Sequence, residues 1–347
     1  METPKSLGFH FPPEWHLHEA TWLSWPHNQD SWPGKIEKVY TPYCQFIKAV
    51  SVEEMVCINV RDSQMESTAR EALEKVSVNL NKVRFYHHAT NDAWCRDHGP
   101  AFVINPSTQE KAIVNWGYNA WGEKYPPYDL DNQIPEKIAG ILGLRTFTPG
   151  IIMEGGSVDF NGEGVVLTTT SCLLNKNRNP HLDQNQIEKY LRDFYGMEVI
   201  WWLGDGIVGD DTDGHIDDIT RFVNRDTVVT VVESNKTDPN YQPLLDNLKV
   251  LKSLRLPDGQ PLNVVELPMP KPVIHQDQRL PASYANFYIA NACVVVPTYR
   301  HDTNDQKVLD IFSDLFRDRK VIGIDSTDIV WGLGSFHCLS QQEPKIA

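Results

Sequence analysis

Five side chains with acid, base or nucleophile chemistry sit in short polar motifs far apart in the chain. Asp97 lies in NDAWCRDHGP, Glu154 in MEGGSVD, His215 and Asp217 in GDDTDGHIDD, and Cys338 in GLGSFHCLSQQEP. A thiol with an imidazole as proton shuttle is a nucleophilic pair. Carboxylates packed around that thiol oppose its ionisation, because like charges repel. The combination becomes useful when the substrate is itself a cation. A planar guanidinium offers several N–H donors to paired carboxylates and stabilises a nearby thiolate. A metal reading of the same residues takes His215 and Asp217 with Cys95 or Cys338 as ligands, but the chain has neither an HExxH nor a CxxC spacing to support it. Each motif also has a plain structural reading, as a turn around Asp97-His98-Gly99, Glu154-Gly155-Gly156 or Asp213-Gly214, and Cys338 as an idle tail cysteine. The glycines at 332 and 334 let the backbone before Cys338 approach a ligand closely.

These motifs must be brought together by the elements behind them, and those elements recur. From Ser157, SVDF and GVVLTTT flank the Asn-Gly turn NGEG; HLDQNQIEKYLRDFYG follows with helical spacing at Ile187, Tyr190, Leu191 and Phe194; EVIWWL then reads as a strand. The order hairpin, helix, strand returns from Ile219 and from Asn286, and an earlier copy runs AFVIN, KAIVNW, IPEKIAGILGL. Hairpin starts near residues 101, 157, 219 and 287 are separated by 56, 62 and 68 residues, a period that suggests repeats. ATWLSW near the start supplies a fifth unit, which the C-terminal DIVWGLGSFHC is expected to join, closing a ring and leaving no exposed sheet edge. The competing arrangement is an irregular α/β protein. Each polar motif falls at the entrance to a unit, so a radial arrangement brings all of them to one axis.

The chain of 347 residues carries 32 Lys and Arg against 46 Asp and Glu, a net charge of −14. That disfavours nucleic acid, whose phosphates need a basic face; it weakly favours a cationic substrate, and an ordinary acidic surface accounts better for the net charge taken alone. No apolar run approaches the length of a membrane span, and the first residues lack the apolar stretch of a signal peptide. The six cysteines are dispersed without a pairing pattern, which points to free thiols in a reducing, cytoplasmic setting. A homo-oligomer is allowed by all of these features.

At these residues the sequence resembles the guanidino-group-modifying enzymes, most closely their agmatine deiminase branch within the bacterial-type peptidylarginine deiminase family. The resemblance runs through EATWLSWP, NDAWCRDHGP, NWGYNAWG, EGGSVD, LLNKNRNPHL, GDDTDGHIDD, SYANFYIAN and FHCLSQQEP. It implies a single catalytic domain over 1–347, built as a pseudo-fivefold α/β propeller (pentein) of ββαβ units around a central active site. It also implies hydrolysis of agmatine to N-carbamoylputrescine and ammonia on the way to putrescine, without metal or organic cofactor. Under it, Cys338 is the nucleophile, Asp97 and Asp217 grip guanidinium nitrogens, Glu154 holds the guanidinium and steers protons, and His215 protonates ammonia and then activates water. Trp94 packs against the substrate or the core. Asp211 stands where the branch usually has Glu, at a position implicated in handling the distal ammonium.

GLGSFHC departs from the GGGNIHC more usual in the branch, so Ser335 is expected to donate a hydrogen bond and Phe336 to reshape the mouth. The segment Trp116–Tyr128 is a candidate lid or a static surface loop. Peptidyl-arginine and free arginine remain rival substrates, with Arg96 read as a structural ion-pair partner rather than a carboxylate anchor. A non-catalytic binding protein for polyamines or guanidino compounds is the rival from another class.

Overall fold

Asn161–Gly164 turns the chain between the strands Asp159–Phe160 and Val165–Thr169, as the Asn-Gly pair predicts. Gly162 and Gly164 take φ values of 77° and 83°, a backbone region that suits glycine. Helix Gln184–Tyr195 then starts on a capping box between Asp183 and Gln186 and stops at Gly196, whose φ is 75°. Its Ile187, Leu191 and Phe194 are buried, and strand Val199–Leu203 returns parallel to Val165–Thr169. The structure, a computed structural model, describes residues 2–346.

The same order builds four more sheets in this mixed α/β protein. Ala101–Asn105, Glu110–Val114 and Arg145–Phe147 form one; Thr220–Asn224, Thr227–Val232 and Asn263–Pro268 another; Tyr288–Ile289, Cys293–Thr298 and Lys320–Asp325 a third. In each, the first strand is antiparallel to the second and the second parallel to the third. A helix fills each crossover: Ile134–Leu142, Tyr241–Ser253 and Asp302–Leu315 respectively. Parallel neighbours need that long connection, whereas the antiparallel pair needs only a turn.

The remaining sheet takes its first strand from the other end of the chain. Ser340–Pro344 pairs antiparallel with His18–Ser24, which pairs parallel with Met55–Val60 across helix Ile36–Val50; Val83–His87 extends the edge. The C-terminal segment therefore joins the first sheet. The pairing segment is SQQEP, immediately after the cysteine rather than the DIVWGLGSFHC stretch itself.

Side-chain alternation explains how the sheets pack. Successive residues on a strand face opposite ways, and here each face meets a different neighbour. Ala112 and Val114 join Val166 in one apolar cluster, while Ile113 joins Trp22 in another. Val165 and Leu167 meet Val228, Val229 and Val231 meet Val294, and Val295 meets Leu23. Five clusters thus link the sheets pairwise, and the last link returns to the first sheet. Strands buried on both faces read as continuous apolar runs, which is why TVVTVV and CVVVPT carry no polar alternation.

Among the described residues all six cysteines are free and buried, and no helix is long and apolar enough to cross a membrane.

The closing strand is anchored by Glu343, whose Oε2 accepts the Trp22 indole N–H at 2.7 Å and whose Oε1 pairs with the Lys111 ammonium. Glu343→Ala leaves the buried indole donor without a partner, a loss of about 1–3 kcal/mol. Urea unfolding is expected to show a lower midpoint with an unchanged slope, and Glu343→Gln, which keeps an acceptor, a smaller drop.

Candidate active site

The first strand of four sheets is entered through a single tight turn of helix. Cys95–His98 precedes Ala101, Gly155–Ser157 precedes Asp159, Ile216–Asp218 precedes Thr220, and Phe336–Leu339 precedes Ser340. In the fifth, Asn286 stands two residues ahead of Tyr288. These turns touch one another, Cys95–His98 meeting both Phe336–Leu339 and Gly155–Ser157, and the last meeting Ile216–Asp218. The approach is closest at Gly156, where an added Cβ would stand 2.6 Å from His215 Nδ1 and 2.9 Å from Asp97 Oδ1. Only glycine fits between those two side chains.

Asp97, Glu154, His215, Asp217 and Cys338 therefore converge, all of them buried. His215 Nδ1 lies 3.8 Å from Asp97 Oδ1 and 3.9 Å from Asp217 Oδ1. Cys338 Sγ stands 3.6 Å from Asp217 Oδ2. Several polar atoms in this group have no hydrogen-bond partner among the described residues: Glu154 Oε2, both ring nitrogens of His215, and Asp217 Oδ1. Unsatisfied buried polar atoms are costly, and the two carboxylate oxygens among them, Glu154 Oε2 and Asp217 Oδ1, lack donors.

Electrostatics follow from burial and mutual repulsion. Burial, with Asp217 and Glu154 nearby, pushes the Asp97 carboxyl up to about 6 despite His215. Burial alone would deprotonate His215, but Asp97, Cys172 and Asp217 hold its pKa well above the usual imidazole range. Burial and the Asp217, Asp218 and Asp97 carboxylates drive the Cys338 thiol well above its ordinary value. Against its own burial, Asp217 is kept below the ordinary carboxylate range by His337, His215 and Arg221. The resting site thus holds a neutral thiol and a charged imidazole.

A second layer fixes these groups. Arg178 donates to Glu154 Oε1 at 2.7 Å and to the Thr212 carbonyl at 2.9 Å, and also pairs with Asp213. His337 spans two carboxylates, Nδ1 at 2.6 Å from Asp217 and Nε2 at 2.9 Å from Glu14. Glu14 also receives Arg221 at 2.8 Å and Arg96 at 3.4 Å, so Arg96 is an ion-pair partner as its sequence context suggested. Asn286 is the hub that sequence reasoning missed. Its Nδ2 donates to Cys338 Sγ at 2.9 Å and to Asp218 Oδ1 at 3.0 Å, while its Oδ1 accepts the His337 and Cys338 amide N–H groups at 3.1 and 3.3 Å. Asn286 lies in SYANFYIAN, beside a unit entrance, whereas Arg178 lies in LLNKNRNPHL, in the crossover between Thr170–Leu173 and Gln184–Tyr195; these two motifs of the resemblance were the available signal.

Above the group opens a cavity of about 520 Å³, floored by Asp97 and Cys338 and walled by Trp94, Trp121 and Trp331. Trp94 lines the cavity, and its ring packs on Trp32 with centroids 5.3 Å apart. Gly332 and Gly334 make room for those indoles, since an added Cβ would meet Trp94 at 2.7 and 2.6 Å. Asp211 is at the exposed mouth and accepts from the Tyr125 hydroxyl. The segment Trp116–Tyr128 crosses the mouth, tied by Trp121 Nε1–H to Asp97 Oδ2 at 3.0 Å and by Lys124 to Asp213 at 2.8 Å. One expectation is corrected: Phe336 does not reach the mouth, because its ring stacks on Phe46 in the core at 5.1 Å. Ser335 shares a side-chain hydrogen bond with Ser326 at 2.6 Å.

Metal-capable donors also differ from expectation. Glu154, Cys172 and His215 form one triplet with ligand atoms within 4.8 Å, and Asp217, Asp218 and Cys338 another; Cys95 belongs to neither.

A thiol set among buried carboxylates, beneath an acid-lined cavity, defines a site for a cationic electrophile. The chain belongs to the Porphyromonas-type peptidyl-arginine deiminase family, which it matches over residues 10–344. The agmatine deiminase of Ectopseudomonas mendocina is 34% identical over 365 aligned positions, covering 99% of this chain and 97% of its own. The agmatine deiminase of Enterococcus faecalis superposes with a TM-score of 0.94 at 32% identity, over 100% of this chain and 99% of its own. A cysteine-to-serine variant of C. jejuni agmatine deiminase with substrate bound superposes with a TM-score of 0.87 at 33% identity, over 96% of each chain.

With its thiol neutral in the resting state, Cys338 is expected to alkylate with iodoacetamide at a rate that keeps rising with pH past 9. Asn286→Ala removes a donor to the sulfur and slows alkylation at pH 8; Asp217→Asn removes a negative charge and speeds it. Mass spectrometry of the Cys338 peptide gives the rates, and fast labelling already complete at pH 6 would contradict the assignment.

Proposed function

We propose that this protein hydrolyses the guanidinium group of agmatine, giving N-carbamoylputrescine and ammonia through an S-linked amidino intermediate on Cys338. The observation that carries this reading is the set of buried acceptors without donors, Glu154 Oε2 and Asp217 Oδ1, beside the Cys338 sulfur. A guanidinium supplies N–H donors in a plane, which suits those oxygens and brings its carbon toward the thiol.

The steps follow from the electrostatics. The bound cation offsets the carboxylate field that keeps the thiol neutral, so the thiolate forms with substrate in place and the thiol proton passes to solvent. It attacks the guanidinium carbon while Asp97, Asp217 and Glu154 hold the nitrogens. His215, already protonated, gives its proton to the departing ammonia, then takes one from the water that attacks the S-linked carbon. Collapse releases the ureido product and restores the thiol, with one water consumed and one ammonia released per turnover.

Agmatine is preferred over arginine because Asp30, Asp92, Asp97, Asp131 and Asp211 line the cavity against Lys124 and His275, with no arginine among the lining residues. An α-carboxylate would meet acids there, whereas a distal ammonium finds Asp211. We read the five sheets as a pseudo-fivefold α/β propeller of ββαβ units forming one catalytic domain, supported by their pairwise apolar contacts. Six unpaired thiols support a cytoplasmic setting.

Ammonia and ureido-product release from agmatine, with arginine and an arginine-containing peptide in parallel, tests the assignment. Turnover is expected for agmatine and abolished in Cys338→Ala; turnover of arginine or the peptide alone would overturn the substrate, and none at all would favour a binding protein. Asp211→Asn should raise KM for agmatine about tenfold, roughly 1.4 kcal/mol, with kcat little changed. Because Asp97 acts ionised and its carboxyl is raised to about 6, kcat/KM is expected to fall as pH drops through about 6, a limb that Asp97→Asn should remove along with most activity.

A further inference from the structure

Cys172 takes no part in the mechanism above, yet it touches two residues that do. It sits in the short helix Thr170–Leu173, whose N-terminal Thr169 hydroxyl accepts the Cys172 amide N–H at 3.3 Å and donates to the Gly214 carbonyl. That second contact draws the helix against the loop carrying His215. The result is a buried triplet of sulfur, imidazole and carboxylate, with one ligand atom from each of Cys172, His215 and Glu154 mutually within 4.8 Å.

We propose that Glu154, Cys172 and His215 form an inhibitory site for a divalent transition-metal ion of the zinc class. The donor set is one sulfur, one nitrogen and one oxygen, which suits a borderline metal and leaves a fourth position open. The atoms needed are free: Glu154 Oε2 and both His215 nitrogens have no partner among the described residues, and Arg178 occupies only the other Glu154 oxygen. Charge is also accommodated. Glu154 and the Cys172 thiolate supply two negative charges against Arg178, while Asp97 and Asp217 lie 3.8 and 3.9 Å from His215 and extend the negative field. The Cys172 thiol proton and one proton of the His215 imidazolium pass to solvent as the metal–sulfur and metal–nitrogen bonds form, so no redox partner is needed.

The alternative triplet of Asp217, Asp218 and Cys338 is already committed. Asn286 donates to Cys338 Sγ and to Asp218 Oδ1, and His337 holds Asp217 Oδ2 at 2.6 Å. A metal there must break those bonds first, whereas at the Cys172 triplet it has only protons to displace, because Glu154 Oε2 and both His215 nitrogens carry no hydrogen bond among the described residues. Bound metal removes the proton carrier and the free Glu154 oxygen together, so it competes with the guanidinium; this inhibitory consequence rests on the proposed function, while binding itself does not.

Titration of the purified protein with Co(II), followed through the near-ultraviolet thiolate-to-cobalt charge-transfer band, separates the two. One equivalent is expected to raise the band in the unmodified protein, and also after Cys338 has been blocked with iodoacetamide. Cys172→Ser and Cys172→Ala should lose the band while still turning over agmatine, and should resist Zn(II) inhibition by about tenfold or more. Absence of any band, or a band kept by the Cys172 variants and lost on blocking Cys338, overturns the site. A band that follows Cys172 without any agmatine turnover leaves the metal site standing and overturns the proposed reaction instead.

Discussion

Buried negative charge is the constraint around which this molecule is organised. Glu14, Asp97, Glu154, Asp159, Asp217 and Asp218 are all withdrawn from water within the middle of the fold. Ionised carboxylates there are tolerable only when paired and hydrogen-bonded. The pairing comes from a frame that is itself buried: Arg178 on Glu154, Arg221 on Asp159 and Glu14, Arg96 on Glu14, and His337 between Glu14 and Asp217. Glu14 lies in the segment before the first strand, and its partners come from three sheet entrances or strands, with Ile289 N–H adding a fourth contact at 2.8 Å. One carboxylate therefore ties the N-terminal segment to most of the fold. What the frame leaves unpaired, on Glu154, His215 and Asp217, is concentrated where the thiol is.

The mouth shows the same economy in backbone terms. Ala120, Trp121, Gly122 and Glu123 have φ values of 49°, 57°, 90° and 62°, a left-handed run in which three residues carry side chains. Such a conformation persists only when surroundings over-determine it. Here Asn119 caps Gly122 at 2.9 Å, Asn177 blocks any side chain at that glycine, and the Trp121 indole reaches down to Asp97. The strain orients an aromatic wall and an uncharged donor toward an acid that must stay available for a cation.

Much of this was legible in the sequence, and the limits of legibility are physical. Turn chemistry at Asn161-Gly162 and helical spacing at Ile187, Leu191 and Phe194 are local signals, and the strands and helices follow them closely. The recurring order then aligned the entrances and brought Asp97, Glu154, His215, Asp217 and Cys338 together before any coordinates. Contacts that depend on direction were not readable. Asn286 bonds a sulfur 52 residues away, and Glu14 a guanidinium 207 residues away, distances over which no pattern carries side-chain orientation. Phe336 failed for the same reason: one turn of helix sends it to Phe46 while Cys338 faces the cavity.

The pairing of Ser340–Pro344 with His18–Ser24 also orders events during synthesis. Synthesis makes Asp97, Glu154, His215, Asp217 and the cavity walls before it reaches Cys338, and the strand that completes the first sheet follows directly behind. A chain not yet extended to Cys338 thus lacks that thiol and the seam together. It exposes an open strand edge at His18–Ser24, a feature that aggregation-prone intermediates share.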